Sequence, residues 1–215
     1  MNRRSLPVAA ALTAVATLTL TACGGTGQPN AGDKIGGVDT TPTSAAPSPS
    51  ATPGSERPKI TLPADVMDEF QGWKTGDATK DRILSDAAQA RVATNFAVTQ
   101  GNPEEKAMAF YRQGDALISG MQWVQQFVDA KLTYTGTVRY YDPKIELFDK
   151  SSAGLVYCSD ESQAFGKERA SGKVNKTPAT KNNYILYSTR LELNKQGVWQ
   201  TTKMASVKGH QSCTP

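Results

Sequence analysis

The chain has 215 residues, with 24 Lys and Arg against 20 Asp and Glu, a single His and three Cys. A net charge of +4 over this length gives no reason to expect a nucleic-acid partner. One His and three scattered Cys also leave too few ligands for a zinc centre, and the one long apolar run falls short of the roughly 20 residues of a membrane span.

The N-terminus reads as an export signal. Met1-Asn2-Arg3-Arg4 is cationic, Leu6–Leu20 is uncharged and rich in Ala, Leu and Val, and small residues follow. Leu20-Thr21-Ala22-Cys23 fits a bacterial lipobox, in which the Cys thiol takes a diacylglyceryl group and the signal is cut just before it. Two or more acyl chains on one residue suffice for stable membrane attachment. Residues 1–22 are thus expected to be removed, leaving Cys23 lipidated on the extracytoplasmic face of a bacterial cell membrane. The alternative is an ordinary signal peptide with Cys23 incidental.

From Cys23 to Lys59 the composition turns to Gly, Ser, Thr, Ala and Pro, with no aromatic residue and six of the 12 prolines. Such a segment has too little apolar surface to offset its chain entropy and is expected to be a disordered tether. Residues 60–215 are expected to form one domain. Its charges nearly balance. Only Lys167–Lys181 is distinctly basic, which reads as a solvated loop.

Ile60-Thr61-Leu62-Pro63 predicts a short extended segment. A helix is predicted from Asp77 to near Val98, where Leu84, Ala87, Ala88, Arg91 and Val92 recur at three- and four-residue steps. Asn102-Pro103-Glu104-Glu105 marks a second helix start, and Gly114-Asp115 a kink or split. After Lys131 the period changes to two. Leu132–Tyr141 predicts a strand, Asp142-Pro143 a turn, Ile145–Phe148 and Leu155–Cys158 two further strands. Tyr184–Leu193 and Val198–Val207 predict a hairpin closed by Asn194-Lys195-Gln196-Gly197. Helices followed by a meander imply an α+β fold, the helices packed on one face of a curved antiparallel sheet around a conical hollow.

With Cys23 carrying lipid, Cys158 and Cys213 are expected to form a disulfide in an exported protein. No nucleophile elbow, phosphate loop, dinucleotide motif or calcium loop is present, so no cofactor and no metal are expected. Carboxylates cluster at strand ends, at Asp142, Asp149, Asp160 and Glu161, and the Asp160-Glu161 pair with Tyr140 and Tyr157 forms the candidate pocket. Of the tryptophans, Trp123 is expected in the core, Trp73 in an exposed loop, and Trp199 on an undecided face.

Three stretches carry a family resemblance: Gly136-Thr137-Val138-Arg139-Tyr140-Tyr141-Asp142; Val156-Tyr157-Cys158-Ser159-Asp160 with Ala164 and Lys167; and Gly197-Val198-Trp199-Gln200-Thr201-Thr202-Lys203 with Cys213. Together they resemble secreted lipoproteins of actinomycete type that are similar to the nuclear transport factor 2-like superfamily, a cystatin-like cone of helices and curved sheet. The resemblance implies a conical pocket. In ketosteroid isomerase and polyketide cyclases, acidic residues and tyrosines in that cone do the chemistry, whereas other members only bind or scaffold. No catalytic motif of those enzymes maps onto this chain, and fold alone does not assign function. The expectation is therefore a non-catalytic domain that binds a small ligand or an envelope protein. The alternative is a small isomerase, cyclase or hydrolase using Asp160 or Glu161 with a tyrosine.

Overall fold

The computed structural model describes residues 56–215. The signal segment, Cys23 and most of the tether lie outside the described residues. Arg57, which composition assigns to the tether, is engaged: its guanidinium donates to both carboxylate oxygens of Asp86 at 2.9–3.1 Å.

Strand β1 (Val66–Phe70) precedes helix α1 (Ala78–Gln100). Asp77 caps α1 by accepting from the Lys80 N–H at 2.8 Å, and Gly101 ends it in the left-handed region at φ 66°. The second helical stretch is split. Helix α2 (Lys106–Tyr111) is capped by Glu105, Arg112 and Gln113 are extended, and α3 (Gly114–Asp129) begins at the predicted break.

Strands β2 (Leu132–Leu147), β3 (Ser152–Glu168), β4 (Val174–Asn175), β5 (Tyr184–Leu193) and β6 (Trp199–Lys208) follow. The sheet order is β1-β2-β3-β5-β6, with β4 on the far end of β3. All neighbours are antiparallel except β1, which lies parallel to β2. The fold is therefore α+β: helices packed on one face of a curved, unclosed and mainly antiparallel sheet.

Two predicted boundaries are corrected. Asp142-Pro143 is a bulge within β2, where the register shifts between Tyr141 and Lys144, so Ile145–Leu147 continues β2 as one strand and Phe148 lies in the turn beyond it. Asp142 takes φ 51° there, and Pro143 has no N–H to offer the ladder. Likewise β3 runs well past Cys158 and into the start of the basic stretch. Lys167 pairs with Asp65 at 2.9 Å, and Arg169 donates to carbonyls at the end of α1.

The bend of the sheet is localised at Gly136. Its φ is +100°, and a Cβ there would stand 2.0 Å from the Gln163 carbonyl oxygen on β3, so only glycine allows this approach. A register shift between Thr137 and Arg139 follows at once. Bending of this kind lets α1 and α3 rest on the sheet at β6 and β2 while leaving space between the layers.

The core joins Ile83, Leu84 and Val98 of α1 to Leu155 of β3, Leu191 of β5 and Val198. Trp73 and Trp123 exchange their expected places. Trp73 is 8% exposed, its ring set edge-on against Phe70 and Tyr157, whereas Trp123 is 41% exposed. Trp199 is buried.

Candidate active site

The hollow between the layers is a cavity of about 320 Å³. Alternation along β2 turns Tyr134, Val138 and Tyr140 inward, and along β3 it does the same for Tyr157, Ser159 and Glu161. Helix α1 adds Arg91 and Asn95, one turn apart on the same face, β5 adds Tyr187, and Trp123 with Phe127 stand on α3. Trp123 and Phe127 meet edge to face at 5.2 Å.

The polar groups form a chain. Asn95 Nδ2 donates to both oxygens of Asp68 at 2.8 and 2.9 Å and lies 3.0 Å from the Tyr140 hydroxyl. Arg91 reaches the Tyr140 and Tyr187 hydroxyls at 3.4 and 3.5 Å, with its guanidinium 5.3 and 4.6 Å from the centres of those rings. The Tyr187 hydroxyl donates to Glu161 Oε1 at 3.4 Å, and the Ser159 hydroxyl to the same oxygen at 3.3 Å. Tyr157 stacks on Tyr187 at 5.1 Å and closes the wall behind it.

Burial dominates the acid–base behaviour here. It pushes the Glu161 carboxyl above its ordinary range, against the nearby Arg91 charge and the Ser159 hydrogen bond. Burial also raises Asp68 to about 6, opposed by Asn95 and Arg91. The phenols of Tyr134 and Tyr140 are raised for the same reason, and Tyr187 is pushed up to about 12. These tyrosines are thus neutral hydrogen-bond donors at physiological pH. The Tyr134 hydroxyl is buried and has no hydrogen-bond partner among the described residues.

Of the residues singled out from sequence, Tyr140 and Glu161 line the cavity and Tyr157 backs it. Asp160 does not join them. Strand alternation places it on the opposite face of the sheet, where it pairs with Arg139 at 3.1 Å and accepts from the Ser162 N–H. Although burial opposes it, the Ser162 hydrogen bonds and Arg139 hold the Asp160 carboxyl below its usual range. Asp142 pairs with Lys144 in the bulge, and Asp149 accepts from Ser151 and Ser152 in the β2–β3 turn. Cys158 and Cys213 are disulfide-bonded, on the same outward face as Asp160.

Arg91, Asn95 and Asp68 escape a search for strand-end carboxylates. For Arg91 the signal was present: a charged residue on the apolar stripe of a helix must have a reason to be buried. Asp68 had no comparable signal, because β1 is short and mostly polar.

No protein-family model matches the chain, and no curated protein sequence does. Among solved structures, it is similar to a ketosteroid isomerase-like protein from Erwinia carotovora atroseptica, at 15% identity and TM-score 0.37, over 55% of this chain and 90% of that one. It is similar to the LinA-type3 hexachlorocyclohexane dehydrochlorinase of Novosphingobium barchaimii, at 9% identity and TM-score 0.39, over 59% and 86%. It is also similar to the intermembrane space region of the chloroplast protein ARC6, at 10% identity and TM-score 0.37, over 63% and 99%.

Proposed function

We propose that the domain takes a small, mainly apolar molecule bearing a carbonyl group into the cavity and moves a proton on it, with Glu161 as acceptor and donor. The observation that carries this reading is the Glu161 carboxylate itself, half-buried, raised in pKa and lining an aromatic cavity. Burial of this kind keeps a carboxyl basic enough to take a proton from carbon and acidic enough to return it. The Tyr134 hydroxyl, which lacks a partner among the described residues, supplies a donor for the substrate oxygen. Arg91 sets a fixed positive charge where negative charge would develop.

The test is hydrogen–deuterium exchange at the α-carbon of cyclohexanone and propiophenone in D₂O, followed by NMR with the full chain. Replacement of Glu161 by Gln is expected to slow exchange by about 10²- to 10⁴-fold. Equal rates for the two proteins would end the proton-transfer reading.

We further propose that the domain acts outside the cytoplasmic membrane, held by acyl chains on Cys23. Support comes from the cationic start, the apolar run and the lipobox in series. Mass spectrometry of membrane extracts should find an N-terminal peptide beginning with acylated Cys23. A soluble chain with an unmodified thiol there would refute it.

A further inference from the structure

Beside the main cavity is a second chamber of about 210 Å³ that shares Arg91, Trp123, Glu161 and Tyr187 with it. Its distinctive wall is Arg112, 1% exposed, in the extended link between α2 and α3. Arg112 Nε and Nη1 lie 3.4 Å from the carbonyls of Ala90 and Ala116, long contacts to neutral acceptors. No carboxylate pairs with Arg112 among the described residues, and its Nη2 donates to none of them. Arg91, 7% exposed, hydrogen-bonds only phenols and sulfur among the described residues, again at long distances. Both guanidiniums converge on one atom: Nη1 of Arg91 and Nη1 of Arg112 stand 3.9 and 3.7 Å from Met204 Sδ.

Two buried like charges at this spacing disfavour one another. Burial first, and then the Arg91 charge, push Arg112 down to about 10. Among the described residues no carboxylate pairs with Arg112, so an anion from outside would relieve both its desolvation and its repulsion with Arg91.

We propose that the smaller chamber is a carboxylate subsite, receiving the carboxylate of a small organic acid on Arg112 and Arg91. The exposed Lys208 at its edge adds attraction. A monoanion fits better than a phosphate dianion, because Glu161 shares the chamber and Asp68 adds a second negative charge near Arg91. Building on the proton-transfer reading, this names the substrate class: an oxo acid, with its charged end on Arg112 and its carbon skeleton beside Glu161, which both chambers share.

The probes are 3-benzoylpropionate and its primary amide, which differ only in the charge, titrated against the full chain by tryptophan fluorescence and thermal shift. In the wild type the acid is expected to bind at least tenfold more tightly than the amide and to raise Tm more. Arg112→Met should bring the ratio to about one, and Arg112→Lys should restore part of it. Equal binding of acid and amide by the wild type, or no saturable binding of the acid, would overturn the proposal without recourse to any variant. Glu161→Gln should keep the acid preference while losing exchange. Charge-dependent binding without exchange in the wild type would therefore sink the proton-transfer reading alone, and exchange without acid preference would sink the subsite alone.

Discussion

The Asn95 amide nitrogen stands 2.8 and 2.9 Å from the two carboxylate oxygens of Asp68 and 3.0 Å from the Tyr140 hydroxyl. One NH₂ group thus holds a strand, β1, and the cavity wall in register with α1. Asp68 is raised from 3.8 to about 6 by burial despite this contact. A raised carboxyl contributes stability that is full below its unfolded value and lost as pH climbs through about 6. Asp68→Asn should therefore stabilise the domain by about 1–3 kcal/mol at pH 7.5, with the difference fading toward pH 4. Denaturant midpoints at the two pH values check this; a variant less stable at pH 7.5 would show that the charge itself is needed.

Arg91 should resist conservative replacement. Its planar guanidinium lies close to the Tyr140 and Tyr187 rings and reaches both hydroxyls. Lysine offers a compact charge that cannot match this arrangement. Arg91→Lys is expected to cost about 1–2 kcal/mol, measurable by urea unfolding.

Asp86 is the buried acceptor for Arg57 and for the Trp199 N–H at 2.9 Å. Asp86→Ala would leave that N–H buried and unpaired and should destabilise by about 2–4 kcal/mol. Arg57→Ala should cost less than 1 kcal/mol, since its side chain is 40% exposed. A cost for Arg57→Ala equal to that for Asp86→Ala would overturn this ranking.

The Cys158–Cys213 bond closes a sequence separation of 55 residues between β3 and the C-terminal tail. The tail is also held by the Tyr141 hydroxyl, which donates to the Cys213 carbonyl. Replacing both cysteines by Ser should lower stability by about 2–4 kcal/mol. Thermal melts of the oxidised protein and of the double variant decide it, with coincident curves as the contrary result.

Gly136→Ala tests the bend. A methyl group 2.0 Å from the Gln163 oxygen, at a φ that L-residues avoid, requires the β2–β3 pair to move apart. A loss of at least about 3 kcal/mol is expected, together with weaker ligand binding. Wild-type stability would mean that the sheet can flatten there freely.

The fold was largely legible where local chemistry decides. Asp77 and Gly101 mark the ends of α1, and Asn194–Gly197 closes the β5–β6 hairpin, as their side chains and backbone preferences require. Structure decided by distant partners was not legible. Val66–Phe70 is a strand only because β2 offers it an edge. Asp142-Pro143 looks like a turn, but pairing on both sides of it keeps β2 continuous. The site divides in the same way. Tyr140 and Glu161 follow from strand alternation, which equally places Asp160 outside. Trp123 stands among apolar helical residues and Trp73 between Gly72 and Lys74, so local context points to the opposite burial from the one that packing of α3 at the mouth of the cavity and of Phe70 and Tyr157 around Trp73 imposes.

The Arg57–Asp86 contact also has a mechanical meaning. A pull on the chain ahead of residue 57 is received at Asp86, in the body of α1, about 7.5 Å along the axis from Arg91. Load would reach the helix that carries two groups of the site and, through the Trp199 N–H on the same carboxylate, the start of β6. Tension from a surface to which the chain is fixed would therefore act along the same element that positions Arg91 and Asn95, and the grip of one arginine sets how much of that force the cavity feels.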